Sequence, residues 1–285
     1  MSVPRRRHVL ALDGGGVRGA LTAGMLTGVE RRLRALHGDD PEFRLADHFD
    51  LVAGTSTGAI IATAIALRYS AQEICELYRD LAPRVFRRAR WLPIVARYDT
   101  RRLRNVLDSH LGDRTLESAD LKTGLLICAK RLDTASPWLL TNNPRSRYWN
   151  GAADEPGVTP NRRYSLADVV QASAAAPFFF NFSKIKIGKG QTGVFIDGAL
   201  SPYNNPALAA LMVATIPAYG YGWPLGADRL HLLSMGTGSP RPQPPLGFGL
   251  LPPILQAGFA MSGLPYDVSQ QSVAVLQALS EPERP

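Results

Sequence analysis

A three-layer α/β fold, with a mostly parallel central sheet and helices on both faces, is what this sequence predicts. Three observations carry that expectation. The chain has 285 residues, 45% hydrophobic and 20% charged, a globular balance that can bury roughly three quarters of the unfolded surface in one core. Short apolar segments of strand length alternate with longer segments of helical periodicity. Two of those apolar segments run directly into glycine-rich loops that open helices, the usual place for chemistry in such sheets.

In chain order, HVLALD at 8–13 is a short buried strand ending at Gly14, Gly15 and Gly16. Residues 18–36 have helical spacing, with Leu21, Met25, Val29, Leu33 and Leu36 near one face, and Gly-Asp-Asp-Pro at 38–41 stops that helix. A second strand at 49–52 meets Gly54-Thr55-Ser56-Thr57-Gly58, and an apolar helix follows at 59–67. Ser70 and Glu73 form a capping box for the next helix, and Thr100 is expected to cap another at 101–111. Segments 125–130 and 138–141 read as paired strands. Ser165 opens a helix that runs into Ser173 and Pro177. Residues 192–196 form a strand ending at Asp197-Gly198-Ala199, 206–216 a helix, and 231–235 a strand ending at Gly236-Thr237-Gly238. Segment 241–265 is charge-free from Pro242 onward and rich in Pro and Leu. It reads as an irregular loop over the core, or as a lid or lipid-facing surface.

Composition excludes several classes. Two cysteines, Cys75 and Cys128, without a CxxC pair rule out a disulfide scaffold and a zinc ribbon, and read as two buried thiols. The best apolar run, 51–67, is short of a membrane crossing. The basic start Arg5-Arg6-Arg7 mimics a signal peptide, but Asp13 and the glycine run interrupt any apolar region, so the chain is expected to be unsecreted and cytoplasmic. The formal charge is +8. Basic residues gather at Arg84, Arg87, Arg88 and Arg90 with Trp91, then at Arg97, Arg101, Arg102 and Arg104. That stretch suits a solvated face, nucleic acid or anionic headgroups; no zinc-finger spacing or RNP-like aromatic motif supports nucleic acid.

Chemistry concentrates in the glycine loops. Gly54 to Gly58 fits G-x-S-x-G, in which a serine projects from a strained strand-to-helix turn and the helix N-terminus faces developing negative charge. Gly14-Gly15-Gly16-Val17-Arg18-Gly19 fits G-x-G-x-x-G, the dinucleotide fingerprint. The acidic residues at the right distance, Asp39 and Asp40, lie in a loop before Pro41 rather than at a strand end, so an anion cradle backed by Arg18 is the better reading. Of the five histidines, His8, His37, His48, His110 and His231, none follows a late strand where a serine triad would place its base. Asp197 follows an apolar strand and precedes Gly198, a step that marks a turn in most proteins.

DGGGVRG at 13–19, GTSTG at 54–58 and DGA at 197–199 together resemble the patatin-like lipid acyl hydrolases. Lesser matches keep the same order: ASAAAP at 172–177, NNPA at 204–207 and SMGTG at 234–238. The resemblance covers 7–238 and implies a patatin-like catalytic domain there; 239–285, which carries no such match, reads from its composition as an apolar covering segment of the same domain, either lid or membrane-facing. The resemblance implies a Ser–Asp dyad without histidine, in which Ser56 is the nucleophile and Asp197 the base. Backbone amides around Gly14, Gly15, Gly16 and Thr57 would form the oxyanion hole with Arg18 in support, and Gly19, Gly54, Gly58 and Gly198 are the remaining motif glycines. No cofactor or metal is required. The implied activity is phospholipase A or esterase cleavage of fatty-acyl esters through an acyl-enzyme. The implied partners are an acyl lipid or phospholipid and a peripheral membrane contact, for which the arginine stretch at 84–104 and the apolar stretch at 242–265 are candidates. Acyl transfer through the same dyad, an NAD-binding oxidoreductase built on the glycine loop, and a non-catalytic lipid-binding scaffold are the alternatives.

Overall fold

The computed structural model describes residues 5–86, 96–151, 157–238, 244, 249 and 252–281. Arg87, Arg88, Arg90 and Trp91 of the basic stretch lie outside the described residues, as does most of 239–251. Seven strands among the described residues form one sheet: β1 (Arg7–Leu12), β2 (Leu51–Thr55), β3 (Gly124–Arg131), β4 (Ser136–Thr141), β5 (Ser183–Gly188), β6 (Gln191–Asp197) and β7 (Leu230–Met235). The order is β5-β6-β3-β2-β1-β7, with β4 also on β3. The central run β7-β1-β2-β3 is parallel, while β4, β5 and β6 join antiparallel. The helices are α1 (Gly19–Leu36), α2 (Leu45–His48), α3 (Thr57–Ala66), α4 (Ala71–Phe86), α5 (Thr100–Leu111), α6 (Leu166–Ser173), α7 (Ala207–Thr215) and α8 (Pro253–Leu279).

Period-2 alternation assigns each strand residue to a face. Leu10, Leu12, Val52, Leu125 and Ile127 point to the side of α3 and α6, where α1, α4 and α5 form the outer cover. Val9, Leu51, Ala53, Leu126 and Cys128 point to α7 through Ala209, Ala210 and Val213. Both faces are covered, so β2 is buried at every position and reads as a continuous apolar run.

Four expectations change. In α1 the buried face is Gly19, Thr22, Ala23 and Leu26, three small residues and one leucine, and the helix packs closely on α4. Leu21, Met25 and Leu36 of the expected apolar stripe point to solvent. The cap of α5 is Asp99, whose carboxylate accepts from the Arg101 N–H; Thr100 is already the first helical residue. The expected buried thiol pair is one buried thiol, Cys128, and one half-buried, Cys75. Most of the covering segment is not irregular: α8 begins at Pro253 and continues through Pro265 to Leu279. No helix among the described residues is long and apolar enough to cross a membrane.

Candidate active site

One strand edge brings the two halves of the site together. β4 occupies one edge of β3, and the other edge is shared: β2 pairs with 124–128, and β6 with 129–131 in the opposite direction. The C-terminal ends of β2 and β6 therefore meet head-on, with Thr55 opposite Cys128 and Asp197 opposite the next residue, Ala129. Ser56 leaves β2 at this junction. Its hydroxyl donates to Asp197 Oδ2 at 2.7 Å although 141 residues separate the two.

Ser56 sits at φ 55° and ψ −118°, a left-handed conformation that a residue with a Cβ rarely holds. The flanking glycines make this turn possible through close packing. A Cβ on Gly58 would overlap the Leu12 carbonyl of β1, and one on Gly54 would overlap the Gly58 carbonyl. The turn is also pinned from α6: the Ser56 N–H donates to Ser173 Oγ at 2.8 Å, and that hydroxyl donates to the Cys128 carbonyl at 2.6 Å.

Asp197 is buried, and burial pushes its carboxyl up from the ordinary 3.8 to about 6, against the lowering effect of bonds from Ser56 and the Ala199 N–H. Its own N–H donates to the Ala175 carbonyl at 3.0 Å, so the C-terminal end of α6 holds the serine through Ser173 and the residues just after it hold the aspartate. A carboxyl at about 6 is mostly ionised at neutral pH while buried by its neighbours.

The glycine loop after β1 packs against this pair. The Gly14 N–H is not free for an anion: it donates to the Asn204 carbonyl at 3.0 Å, while the Gly14 carbonyl accepts from Thr237 Oγ1. The Arg18 N–H is committed to the Gly15 carbonyl, which also accepts from Arg18 Nε. The amides of Gly15, Gly16 and Thr57 have no acceptor among the described residues, and Arg18 Nη1 is buried without a partner. Gly16 takes φ 60°, a left-handed conformation that glycine adopts without strain. Gly19 packs on Thr57 and Tyr78, and Gly198 presses on the Cys128 carbonyl. The Tyr78 hydroxyl meets both Thr57 Oγ1 and the Thr57 carbonyl, bracing the start of α3.

Ser56, Thr57, Asp197, Arg18 and the three loop glycines line one cavity of about 750 Å³, within the size range of small-molecule sites. One wall is apolar, built from Ile60, Leu81, Leu103, Phe86, Tyr98 and Phe180. α8 supplies Tyr266, Ser269 and Val273 on another side, and Ser269 Oγ accepts from Asn204 Nδ2 at 3.0 Å. No histidine lines the cavity. His8, His37, His48 and His231 cluster ring to ring around the start of β1, and the His110 carbonyl accepts from Tyr69. Sequence reasoning passed over Asp13. It lines the same cavity with Oδ1 unpartnered, and burial alone raises its carboxyl from 3.8 to about 7. It also gave no roles to Ser173, Asn204 and Thr237, which brace the two loops; only their place in the lesser motif matches pointed to them. The basic stretch is partly neutralised, since Arg84 pairs with Asp80 and Arg104 with both Asp108 and Asp168.

A family model described as patatin-like phospholipase matches residues 10–211. A cUMP-AMP-activated phospholipase of Escherichia coli is 35% identical over 242 residues, covering 84% of this chain and 67% of that protein. Patatin-like protein 1 of Arabidopsis thaliana is 30% identical over 81% of this chain and 58% of its own length, and Patatin-17 of Solanum cardiophyllum 28% identical over 81% and 60%. The chain thus spans between half and two thirds of most curated relatives it matches.

Proposed function

The chain belongs to the patatin-like phospholipase family, and from that premise we propose that it hydrolyses fatty-acyl esters of lipids by a Ser56–Asp197 dyad. The observation that carries this reading is the 2.7 Å bond from the Ser56 hydroxyl to a buried carboxylate, in a cavity that no histidine lines. A carboxylate at its ordinary pKa is a weak base for an alcohol; one raised to about 6 and held in contact with the proton is better matched to the task.

Asp197 takes the hydroxyl proton as Ser56 Oγ bonds to the ester carbonyl carbon. The carbonyl oxygen becomes an oxyanion, for which the uncommitted amides of Gly15, Gly16 and Thr57 are the available donors, with Arg18 Nη1 adding positive charge. Each well-placed donor supplies about 3 kcal/mol at the transition state. Collapse breaks the bond to the leaving alcohol, which takes the proton from Asp197 and leaves an acyl-enzyme. Asp197 then deprotonates water, whose attack releases the fatty acid and restores Ser56. The apolar wall from Ile60 to Phe180 supplies a dry path for the acyl chain.

Incubation with mixed lipid vesicles, followed by mass spectrometry of the products, tests the proposal. The expected result is free fatty acid and lysolipid from the wild type and neither from Ser56→Ala. Because the Escherichia coli relative bears activation by cUMP-AMP in its name, the assay includes arms with cyclic dinucleotides. Fatty-acid release that persists in Ser56→Ala would contradict the reading.

A further inference from the structure

We infer that the loop Phe178–Phe182 and the adjoining lysines of β5 and the turn after it form the face by which this protein docks on an anionic lipid surface, a refinement that rests on the lipid hydrolase reading. The loop leaves α6 and carries four phenylalanines in five residues. Phe180 is buried in the cavity wall, but Phe178 is 78% exposed, Phe182 53% and Phe179 44%. Phe178 is held at φ 67°, a conformation that is strained for a bulky side chain. Its carbonyl and that of Phe179 accept from Arg97 and Tyr98 N–H groups at 2.8 Å, so the outward rings sit on a fixed backbone. Phe179 still stacks on Tyr98, but Phe178 and Phe182 leave most of their surface in water on an anchored loop, and that surface gains free energy when something apolar covers it.

Charge identifies the cover. From 169 to 196 the chain has no Asp or Glu, and it holds three of the five lysines: Lys184, Lys186 and Lys189. All three are exposed, and none is in an ion pair among the described residues. Lys184 and Lys186 share one face of β5, and the Lys184 ammonium lies 5.7 Å from the Phe182 ring centre. Aromatic rings beside unpaired lysines match the boundary where apolar chains meet anionic headgroups. The position fits as well. Phe179 and Phe180 line the cavity that holds Ser56, as does Val17, which is followed on α1 by exposed Leu21 and Met25 at one-turn spacing. A lipid drawn from the surface enters past these rings.

The test uses the full chain carrying Ser56→Ala, so that no product forms, in co-sedimentation with vesicles of phosphatidylcholine alone or mixed equally with phosphatidylglycerol. The expected result is stronger binding to the mixed vesicles. Phe178→Ser with Phe182→Ser should weaken binding at least ~10-fold on both compositions. Lys184→Gln, Lys186→Gln and Lys189→Gln together should weaken it about 100-fold on the anionic vesicles alone. In the Ser56 background both sets should cleave a soluble short-chain ester within about twofold of the unmodified rate, which also reports folding, because none of the five residues lines the cavity. Variants that bind like their parent overturn the inference. So does a chain that ignores anionic vesicles, or one in which the Phe substitutions abolish only self-association. Ester cleavage without vesicle binding would remove the docking face and leave the hydrolase reading standing; vesicle binding without ester cleavage would do the reverse.

Discussion

Replacing Asp197 by Asn should make the protein more stable and nearly inactive at the same time. Asparagine is isosteric: its Oδ1 can keep the bond from the Ala199 N–H and its amide can donate to Ser56 Oγ, so both contacts survive. What disappears is a buried negative charge. The wild-type carboxyl binds its proton more tightly folded than unfolded, with values of about 6 and 3.8. Stability therefore falls as pH rises between those values and stays lowered above them. The gap corresponds to about 3 kcal/mol, since each pKa unit is worth about 1.4 kcal/mol. Relief of that cost should raise Tm by about 5 °C at neutral pH, the gain shrinking as pH falls toward 3.8. Loss of the base should lower kcat/KM by about 100- to 10,000-fold. Thermal unfolding across pH and ester turnover read the two effects independently. A variant that is active, or one less stable than wild type at neutral pH, would refute the claim that Asp197 is a desolvated base.

The remaining predictions use other parts of the site. Wild-type activity should rise with pH through about 6 as Asp197 ionises, measured as kcat/KM on a soluble ester. Ser173→Ala removes the acceptor of the Ser56 N–H and strands the Cys128 carbonyl, which should cost about 1–3 kcal/mol in denaturant unfolding and at least ~10-fold in turnover. Gly58→Ala drives a methyl into the Leu12 carbonyl and should destabilise by about 3 kcal/mol or more, seen as lost soluble expression or a lowered Tm. His48 is lowered to about 4, first by burial and then by His8, His37 and His231. As pH falls from about 6.5 toward 4 the unfolded chain takes up a proton that the folded chain resists, so stability declines there. His48→Gln should flatten that decline in a Tm-against-pH series.

Backbone-determined features were legible before any coordinates. A short apolar strand running into Gly54-Thr55-Ser56-Thr57-Gly58 can make only a few turns, and the turn here is the sharp elbow that spacing suggests. Features set by tertiary packing were not. Nothing near Ser56 in the chain indicates that β6 will abut β2 along the same edge of β3, and the pairing of Ser56 with Asp197 came from the family resemblance alone. Similarly, the Gly14 amide looked free for an anion until Asn204, 190 residues away, took it. Hydrophobic periodicity favours Leu21, Met25 and Leu36 as the inner face of α1, whereas close packing there takes Gly19, Thr22 and Ala23 beside Leu26. Ser-Lys-Ile-Lys-Ile alternates with period two, which is the pattern of β5, and its exposed lysines belong to the face assigned to lipid docking. α8 is masked in the sequence by Pro265 and by a charge-free stretch at 253–265 in which only Gln256 and Ser262 interrupt the apolar and small residues.

Reaction with a fluorophosphonate, followed by peptide mass spectrometry, addresses the central claim most directly. The account predicts one covalent adduct, on Ser56, whose rate of formation rises through about pH 6 and collapses in Asp197→Asn. An adduct on another residue, or labelling of Ser56 that is indifferent to Asp197, would contradict it.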